Sequence, residues 1–117
     1  MILDYSERNS VAVIKITGKI DAQNSPVLEK EINSALKRGF IRIIADMSSA
    51  DYISSSGLRV FLSARKKTAA LNGSMKLSSL MPFVRNIFTI SGFDSLFEIY
   101  DDEESAYKSF GILAEKQ

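Results

Sequence analysis

Three consecutive serines followed by a glycine are the residues of this sequence best placed to carry chemistry. Ser54, Ser55 and Ser56 precede Gly57, within a polar stretch that starts at Asp46 and leads into a predicted helix. The N–H groups of a first helical turn are unpaired and the helix dipole is positive there. A serine in this position could cap the helix, hold an anion or accept a phosphoryl group. The residues alone leave these three roles open.

Asp46, at the end of an apolar run, is the second candidate. Its carboxylate could cap the following turn, which is an ordinary role for aspartate. It could also be a phosphoaspartate or a metal ligand, as in a response-regulator receiver. A receiver needs an acidic pair after its first strand, and Asp4 stands alone there. The residues favour the capping role, and we expect neither a metal nor a cofactor.

Three charged residues could help a partner to bind beside the serines. Lys19 and Asp21 follow Gly18 at the end of a predicted strand, where they form either a solvated loop or part of a docking surface. Arg59 comes three residues after Ser56, which places both side chains on one helix face. Its guanidinium could pair with a phosphate on Ser56 or simply be solvated.

Four phenylalanines in the C-terminal half could form a binding surface. Their spacing in the predicted helix and strand favours core packing instead. They are Phe83, Phe88, Phe93 and Phe97.

The composition argues against catalysis. The sequence of 117 residues contains no cysteine and no histidine. Disulfides, zinc–thiolate sites, a cysteine nucleophile and the usual general base near neutral pH are therefore absent. We expect a binding protein and not an enzyme.

Charge and hydropathy argue against two kinds of partner, nucleic acids and membranes. The net charge of +1 gives no bulk electrostatic reason for direct contact with nucleic acid or an anionic membrane. No apolar run approaches the roughly 20 residues that span a bilayer, and the N-terminus lacks a signal-peptide pattern. We expect a cytoplasmic protein.

Strands alternate with helices in the predicted order β-β-α-β-α-β-α-β-α. The predicted strands cover residues 1–4, 11–17, 40–47, 74–79 and 96–100, with a polar turn at 6–10. The predicted helices run from an N-cap at Ser25 to Gly39, over residues 59–70, from Pro82 to Gly92, and from residue 101 through Leu113.

This alternation is typical of an α/β fold with a mixed, mainly parallel sheet, here in a single domain over residues 1–117. Binding sites of such sheets lie beyond the carboxyl ends of the strands. Segments 18–24 and 46–56 both follow strand ends, so we predict two loops on one rim. The serine run is therefore expected at a ligand-facing edge.

Four short blocks, spread over nearly the whole chain, carry a family resemblance. They read ITGKID at residues 16–21, DMSSADYI at 46–53, SSGL at 55–58 and ISGFDSLFEIY at 90–100. Their order and spacing resemble those of the STAS domain family, specifically the stand-alone anti-sigma factor antagonists of bacteria.

The resemblance implies a switch without enzymatic activity. Such antagonists bind an anti-sigma factor that is also a serine kinase of the histidine-kinase-like ATPase fold, and this capture frees the sigma factor. The kinase phosphorylates the serine directly before the glycine, which weakens capture, and a PP2C-type phosphatase reverses the modification. By motif position the acceptor is Ser56. We expect a monomer.

One position departs from the family pattern. The family usually has aspartate two residues before the acceptor, where this chain has Ser54. A carboxylate there can hold the loop or contact the kinase, so its replacement leaves Ser55 and Ser54 as alternative acceptors. It also leaves open a second function, that of an unmodified scaffold subunit in a larger signalling or transport assembly.

The predicted partner-binding surface combines two strand ends with the start of the second helix. Ser56 is the predicted phosphorylation site within it. The surface comprises Lys19, Asp21, Asp46, Ser54, Ser55, Ser56, Gly57, Leu58 and Arg59.

Overall fold

The computed structural model describes residues 1–111, which form five strands, four α-helices and one 3-10 turn. The strands are β1 (Ile2–Arg8), β2 (Val11–Ile20), β3 (Arg42–Ile53), β4 (Ser74–Ser78) and β5 (Glu98–Tyr100). The helices are α1 (Ser25–Lys37), α2 (Ser55–Ala70), α3 (Pro82–Ile90) and α4 (Glu103–Lys108), with the 3-10 turn at Phe93–Ser95. The predicted order of elements is confirmed.

The five strands form one sheet in the order β1-β2-β3-β4-β5. β1 is antiparallel to β2 and the other pairs are parallel, so the predicted mixed, mainly parallel sheet is confirmed. Successive residues of a strand face opposite sides. Ile14 and Ile16 of β2 belong to the core under α1, α2 and α3, whereas Val11 and Val13 pack against α4. The sheet therefore has three helices on one face and α4 on the other.

The first hairpin is longer than predicted. β1 continues to Arg8 and the turn is only Asn9 and Ser10, because an edge strand tolerates the exposed polar side chains that resembled a turn. Both turn residues have positive φ, at 45° and 72°. β2 likewise continues to Ile20. Gly18, at φ +95°, does not end the strand, because β2 stays paired with β3 on both sides of it after shifts in register.

The largest correction concerns residues 46–56, which form strand and helix instead of a loop. β3 continues to Ile53, and α2 starts at Ser55, one turn before its predicted start. Pairing of β3 with β4 ends at Asp46 and Ser78, whereas pairing with β2 continues to the end of the strand. We call the segment beyond Asp46 the β3 overhang. Several of its side chains are polar and exposed, which is why it resembles a loop in the sequence.

Other element ends differ by smaller amounts. α1 starts at Ser25, so its N-cap is Asn24 and not the serine. β5 is confined to Glu98–Tyr100, because Leu96 caps the 3-10 turn at Phe93–Ser95 and the strand starts two residues later. α4 ends at Lys108, and Leu113, predicted to continue its apolar face, lies outside the described residues.

Two of the four phenylalanines are buried in the core as predicted. Phe88 of α3 meets Phe97 edge-on, with ring centroids 5.8 Å apart. Phe93 is partly buried against the same core. Phe83 is 59% exposed, so its predicted place in the core is wrong. Its neighbour Val84 takes the buried face of α3, and adjacent residues of a helix point in directions about 100° apart.

Candidate functional site

The start of α2 is fixed to the ends of β2 and β3. The Ser54 N–H donates to the Ile20 carbonyl at 2.8 Å. A Cβ atom on Gly57 would come within 2.7 Å of Ile20 Cγ2 and 2.8 Å of Ile53 Cγ1. Glycine therefore lets the helix approach both strand ends more closely than any other residue would. Packing against the two strand ends thus explains why a glycine follows the three serines.

Ser54 caps α2. Its backbone is extended, at φ −88° and ψ 172°, and its Oγ accepts the Gly57 N–H at 3.2 Å. The Leu58 N–H then donates to the Ser54 carbonyl at 3.0 Å. Of the roles open to the three serines, capping belongs to Ser54. Because serine and aspartate cap helices about equally well, Ser54 fulfils the structural role that aspartate would have here.

Ser55 and Ser56 occupy the first turn of α2. Ser55 is exposed and Ser56 is half-buried. The Arg59 guanidinium makes a long hydrogen bond to Ser56 Oγ, at 3.5 Å. The first backbone N–H groups of a helix have no acceptor within the helix. Together with the helix dipole, they favour negative charge nearby. A phosphate on Ser56 would have these groups and Arg59 beside it.

The structure brings the Lys19–Asp21 segment next to this turn. Lys19 is exposed and pairs with Tyr52 at the end of the sheet. Asp21 Oδ1 accepts the N–H groups of Gln23 and Asn24, both at 3.0 Å, so its carboxylate holds the turn into α1. The two strand ends share one rim, although they reach it as strands and not as loops.

Asp46 does not join the serine turn. Its Oδ1 accepts the Ser48 N–H at 3.0 Å, and its nearly buried side chain interacts with the Glu103 carboxyl of α4. It therefore lies on the face of the sheet opposite α2. Gly57 and Leu58 are also buried. The predicted binding residues that remain at least partly exposed are Lys19, Asp21, Ser54, Ser55, Ser56 and Arg59.

The carboxyl pair predicts a pH-dependent effect on stability. Burial, and then the neighbouring Asp46 carboxyl, raise the pKa of Glu103 above its ordinary value of 4.5. The Glu103 carboxyl thus binds its proton more tightly in the folded protein than in the unfolded chain. Above the raised pKa, the ionised carboxylate lowers the stability of the fold. Below the pKa of the unfolded chain, the carboxyl is protonated in both states and has no such effect. We expect Glu103→Gln to stabilise the protein at pH 7 by less than about 1 kcal/mol.

Urea denaturation of both proteins at pH 7 and pH 3 measures this effect. The gain should vanish at pH 3. An equal gain at both values would assign it to packing and not to charge.

The cap at Ser54 gives a second prediction. Ser54→Ala should lower the free energy of unfolding by about 1 kcal/mol, because the Gly57 N–H loses its acceptor in a partly buried turn. Ser54→Asp is the matched control, since its carboxylate can accept the same N–H, and it should unfold within about 0.5 kcal/mol of the parent. Urea denaturation decides, and an equal loss in both variants would contradict the capping role.

An exposed aromatic pair lies at the same rim. The sequence interpretation favoured core packing for one ring, Phe83, and did not single out the other, Tyr52. Tyr52, near the end of the β3 overhang, stacks on Phe83 of α3 with ring centroids 6.4 Å apart. Both rings are partly exposed. Exposed aromatic surface beside polar residues is typical of protein-binding sites. The position of Phe83 beside Val84, off the buried face of α3, is the signal that could have indicated it.

Within residues 1–111, no cluster of three or more histidine, cysteine, aspartate or glutamate side chains could hold a metal ion. In the same part of the chain, no helix is both long enough and apolar enough to cross a membrane.

The chain combines a mixed five-stranded sheet with a serine–glycine helix start at its rim. The model of the STAS domain family matches residues 3–106. This chain belongs to the STAS domain family. BtrV of Bordetella bronchiseptica, provisionally named an anti-sigma factor antagonist, is 34% identical over 110 residues, which cover 94% of this chain and 95% of BtrV.

Solved structures show the same fold. A provisionally identified anti-sigma factor antagonist from Thermotoga maritima superposes with a TM-score of 0.87 at 20% identity, covering 92% of each chain. The anti-sigma factor antagonist SpoIIAA in its unphosphorylated form gives a TM-score of 0.80 at 23% identity, covering 95% of this chain and 98% of SpoIIAA. Phosphorylated SpoIIAA, from Bacillus, gives 0.74 at 22% identity, covering 93% and 99%. At these identities the likeness establishes the fold.

Proposed function

We propose that this protein is an anti-sigma factor antagonist whose capture of its partner is switched off by phosphorylation of Ser56. The class is supported by the name of BtrV, which is 34% identical over 94% of this chain. The observation that carries the switch is the half-buried hydroxyl of Ser56, which lies in the first turn of α2 directly before Gly57, with Arg59 at 3.5 Å.

A phosphate at Ser56 changes the charge of this turn and leaves the fold intact. It adds about −1.5 to −2 charges and three acceptor oxygens. In the free protein, the N-terminus of α2 and Arg59 stabilise these charges. A partner seated over the turn would have to desolvate them, which costs far more than covering a hydroxyl. Phosphorylation therefore weakens capture without unfolding the antagonist.

The neighbouring serines are poorer acceptors. The Ser54 oxygen already caps the helix, and a phosphate on it would compete with that hydrogen bond. Ser55 is exposed, but the Arg59 guanidinium contacts Ser56. These contacts support Ser56 over the two alternatives.

The partners follow from the same proposal. The anti-sigma factor is also the serine kinase, of the histidine-kinase-like ATPase fold, and a PP2C-type phosphatase restores Ser56. The antagonist itself contributes a surface and an acceptor hydroxyl, with no catalytic residue. It acts in the cytoplasm as a monomer.

Affinity capture with the purified chain should retain an ATPase of this fold from the source cell. Incubation of the chain with that purified ATPase, ATP and Mg²⁺, followed by mass spectrometry, then maps the phosphate. A single phosphate on Ser56 is expected. It should be absent from Ser56→Ala and present on Ser55→Ala, and a chain without phosphate on any of the three serines would end the switch proposal.

The unmodified scaffold is the alternative, and it rests on Ser54 in place of aspartate. Ser54 caps α2 as an aspartate would, and this supports Ser56 as the acceptor in spite of that replacement. Size-exclusion chromatography of native extract separates the two functions. A stable large assembly that contains unphosphorylated chain would favour the scaffold.

A further inference from the structure

Charge is unevenly distributed along this chain, although its net charge is only +1. Residues 52–93 contain no aspartate or glutamate, and residues 86–107 contain no lysine or arginine. The basic residues of the first stretch are Arg59, Arg65, Lys66, Lys67, Lys76 and Arg85. The acidic residues of the second are Asp94, Glu98, Asp101, Asp102, Glu103 and Glu104.

The outward face of α2 concentrates the positive charge. Arg59 and Lys66 are both exposed, and seven residues of helix place them in one line about 10 Å apart. Ser55 precedes them in the same line and Ser63 lies beside it. We call these four residues the α2 strip. It starts in the serine turn and runs along the helix for about three turns.

Two other cations of α2 are already used within the fold. The Arg65 Nε donates to the Leu96 carbonyl at 2.5 Å, and Lys67 Nζ donates to Asn33 Oδ1 of α1 at 2.9 Å. Among the described residues, the Arg59 side chain makes one hydrogen bond, to the Ser56 hydroxyl. The charges of the α2 strip therefore face solvent, with no acidic residue on their own helix.

Two of these acidic residues form ion pairs with cations outside the α2 strip. Glu104 pairs with Arg8 at 2.8 Å, and Glu98 pairs with Lys76 at 3.1 Å. Glu104 is on α4, on the face of the sheet opposite α2. Among the described residues, neither Arg59 nor Lys66 forms an ion pair.

We propose that the α2 strip is a docking surface for an acidic surface of the protein partner, which it steers onto the serine turn. This inference rests on the proposed function and names the chemistry of the partner's contact face. Opposite charges across an interface mainly raise the association rate. A phosphate on Ser56 would then oppose docking twice, because it neutralises Arg59 and repels the acidic partner.

The geometry favours a protein over a nucleic acid. Two aligned cations about 10 Å apart match a few carboxylates on a folded surface. Nucleic-acid binding relies on lysine and arginine side chains that neutralise many phosphates, and a strip of two cations in a chain of net charge +1 supplies few of them.

Charge reversal at the far end of the strip tests the proposal. Lys66→Glu leaves the serine turn untouched, and Lys15→Glu is the matched control, an exposed lysine on the α4 face of the sheet. Stopped-flow association with the captured ATPase should slow about three- to tenfold for Lys66→Glu at low salt, and by less than about twofold for Lys15→Glu. The difference should disappear at high salt, because salt screens exposed charges.

Ser56→Glu in the same assay distinguishes a failure of the docking strip from a failure of the proposed function. If it weakens binding while Lys66→Glu matches Lys15→Glu, the strip is overturned and the switch survives. If Ser56→Glu binds like the parent, the proposed function fails.

An oligoglutamate peptide tests the strip without any natural partner. Amide chemical-shift changes should cluster on α2 around Arg59 and Lys66 and be lost in Lys66→Glu. Changes elsewhere, or tighter binding of a labelled single-stranded oligonucleotide than of the peptide, would overturn the proposal.

Discussion

Ser56→Glu should weaken binding to the anti-sigma factor by about 100-fold, which is about 2.7 kcal/mol. The reason is that a partner covering the turn would have to desolvate the new carboxylate, and uncompensated charge at an interface costs about 2–5 kcal/mol. Arg59 offsets only part of this cost, since its contact with Ser56 is long and solvent-exposed. Isothermal titration calorimetry with the captured ATPase measures the change.

Two further variants make this measurement specific. Ser56→Ala removes the hydroxyl without adding charge, so its affinity should remain within about threefold of the parent, the worth of one exposed hydrogen bond. Ser6→Glu adds the same charge at an exposed position of the edge strand β1 and should not change affinity. Equal losses in Ser6→Glu and Ser56→Glu would point to net charge and not to the serine turn.

Gly73→Ala should destabilise the fold more than any surface substitution in this chain. A Cβ atom on Gly73 would lie 1.9 Å from the Ile41 carbonyl oxygen, so backbone would have to move. The N–H of the next residue, Ser74, donates to that same carbonyl at 2.9 Å at the start of β4. We expect a loss of about 3 kcal/mol or more in the free energy of unfolding.

Gly92→Ala is the matched control for this loss. Gly92 has φ +79° and nothing within 4 Å of its Cβ position, so alanine there meets backbone strain without a clash. Its cost should be about 1–2 kcal/mol. Guanidinium denaturation compares the two variants, and equal losses would refute the close contact at Gly73.

The order of elements could be predicted from the sequence because buried strands and helices impose their periodicity on it. The apolar run at the start of β3 indicated a strand buried on both faces, and Ile43 and Ile44 are fully buried on its two sides. Positive φ at Gly39 and Gly92 explains why those glycines mark helix ends. Local chemistry was sufficient at these positions.

The rim could not be predicted in the same way, because its residues follow the pairing of strands distant in sequence. The β3 overhang is a strand because β2 continues beside it, and no residue within the overhang indicates that. The face on which Asp46 lies depends on the register of the sheet and on where α4 packs. The exposure of Phe83 similarly depends on how α3 lies over β3.

The two halves of β3 differ in how their backbone is paired. The first half of β3 is hydrogen-bonded to strands on both sides, whereas within the described sheet the overhang pairs with β2 alone. A backbone held by fewer neighbours opens at a lower free-energy cost. We therefore expect the backbone hydrogen bonds of the overhang to open at a lower cost than those of the first half of β3, although Met47, Ala50 and Ile53 of the overhang are buried in the core. Amide hydrogen exchange along β3 should therefore be faster beyond Asp46 than before it.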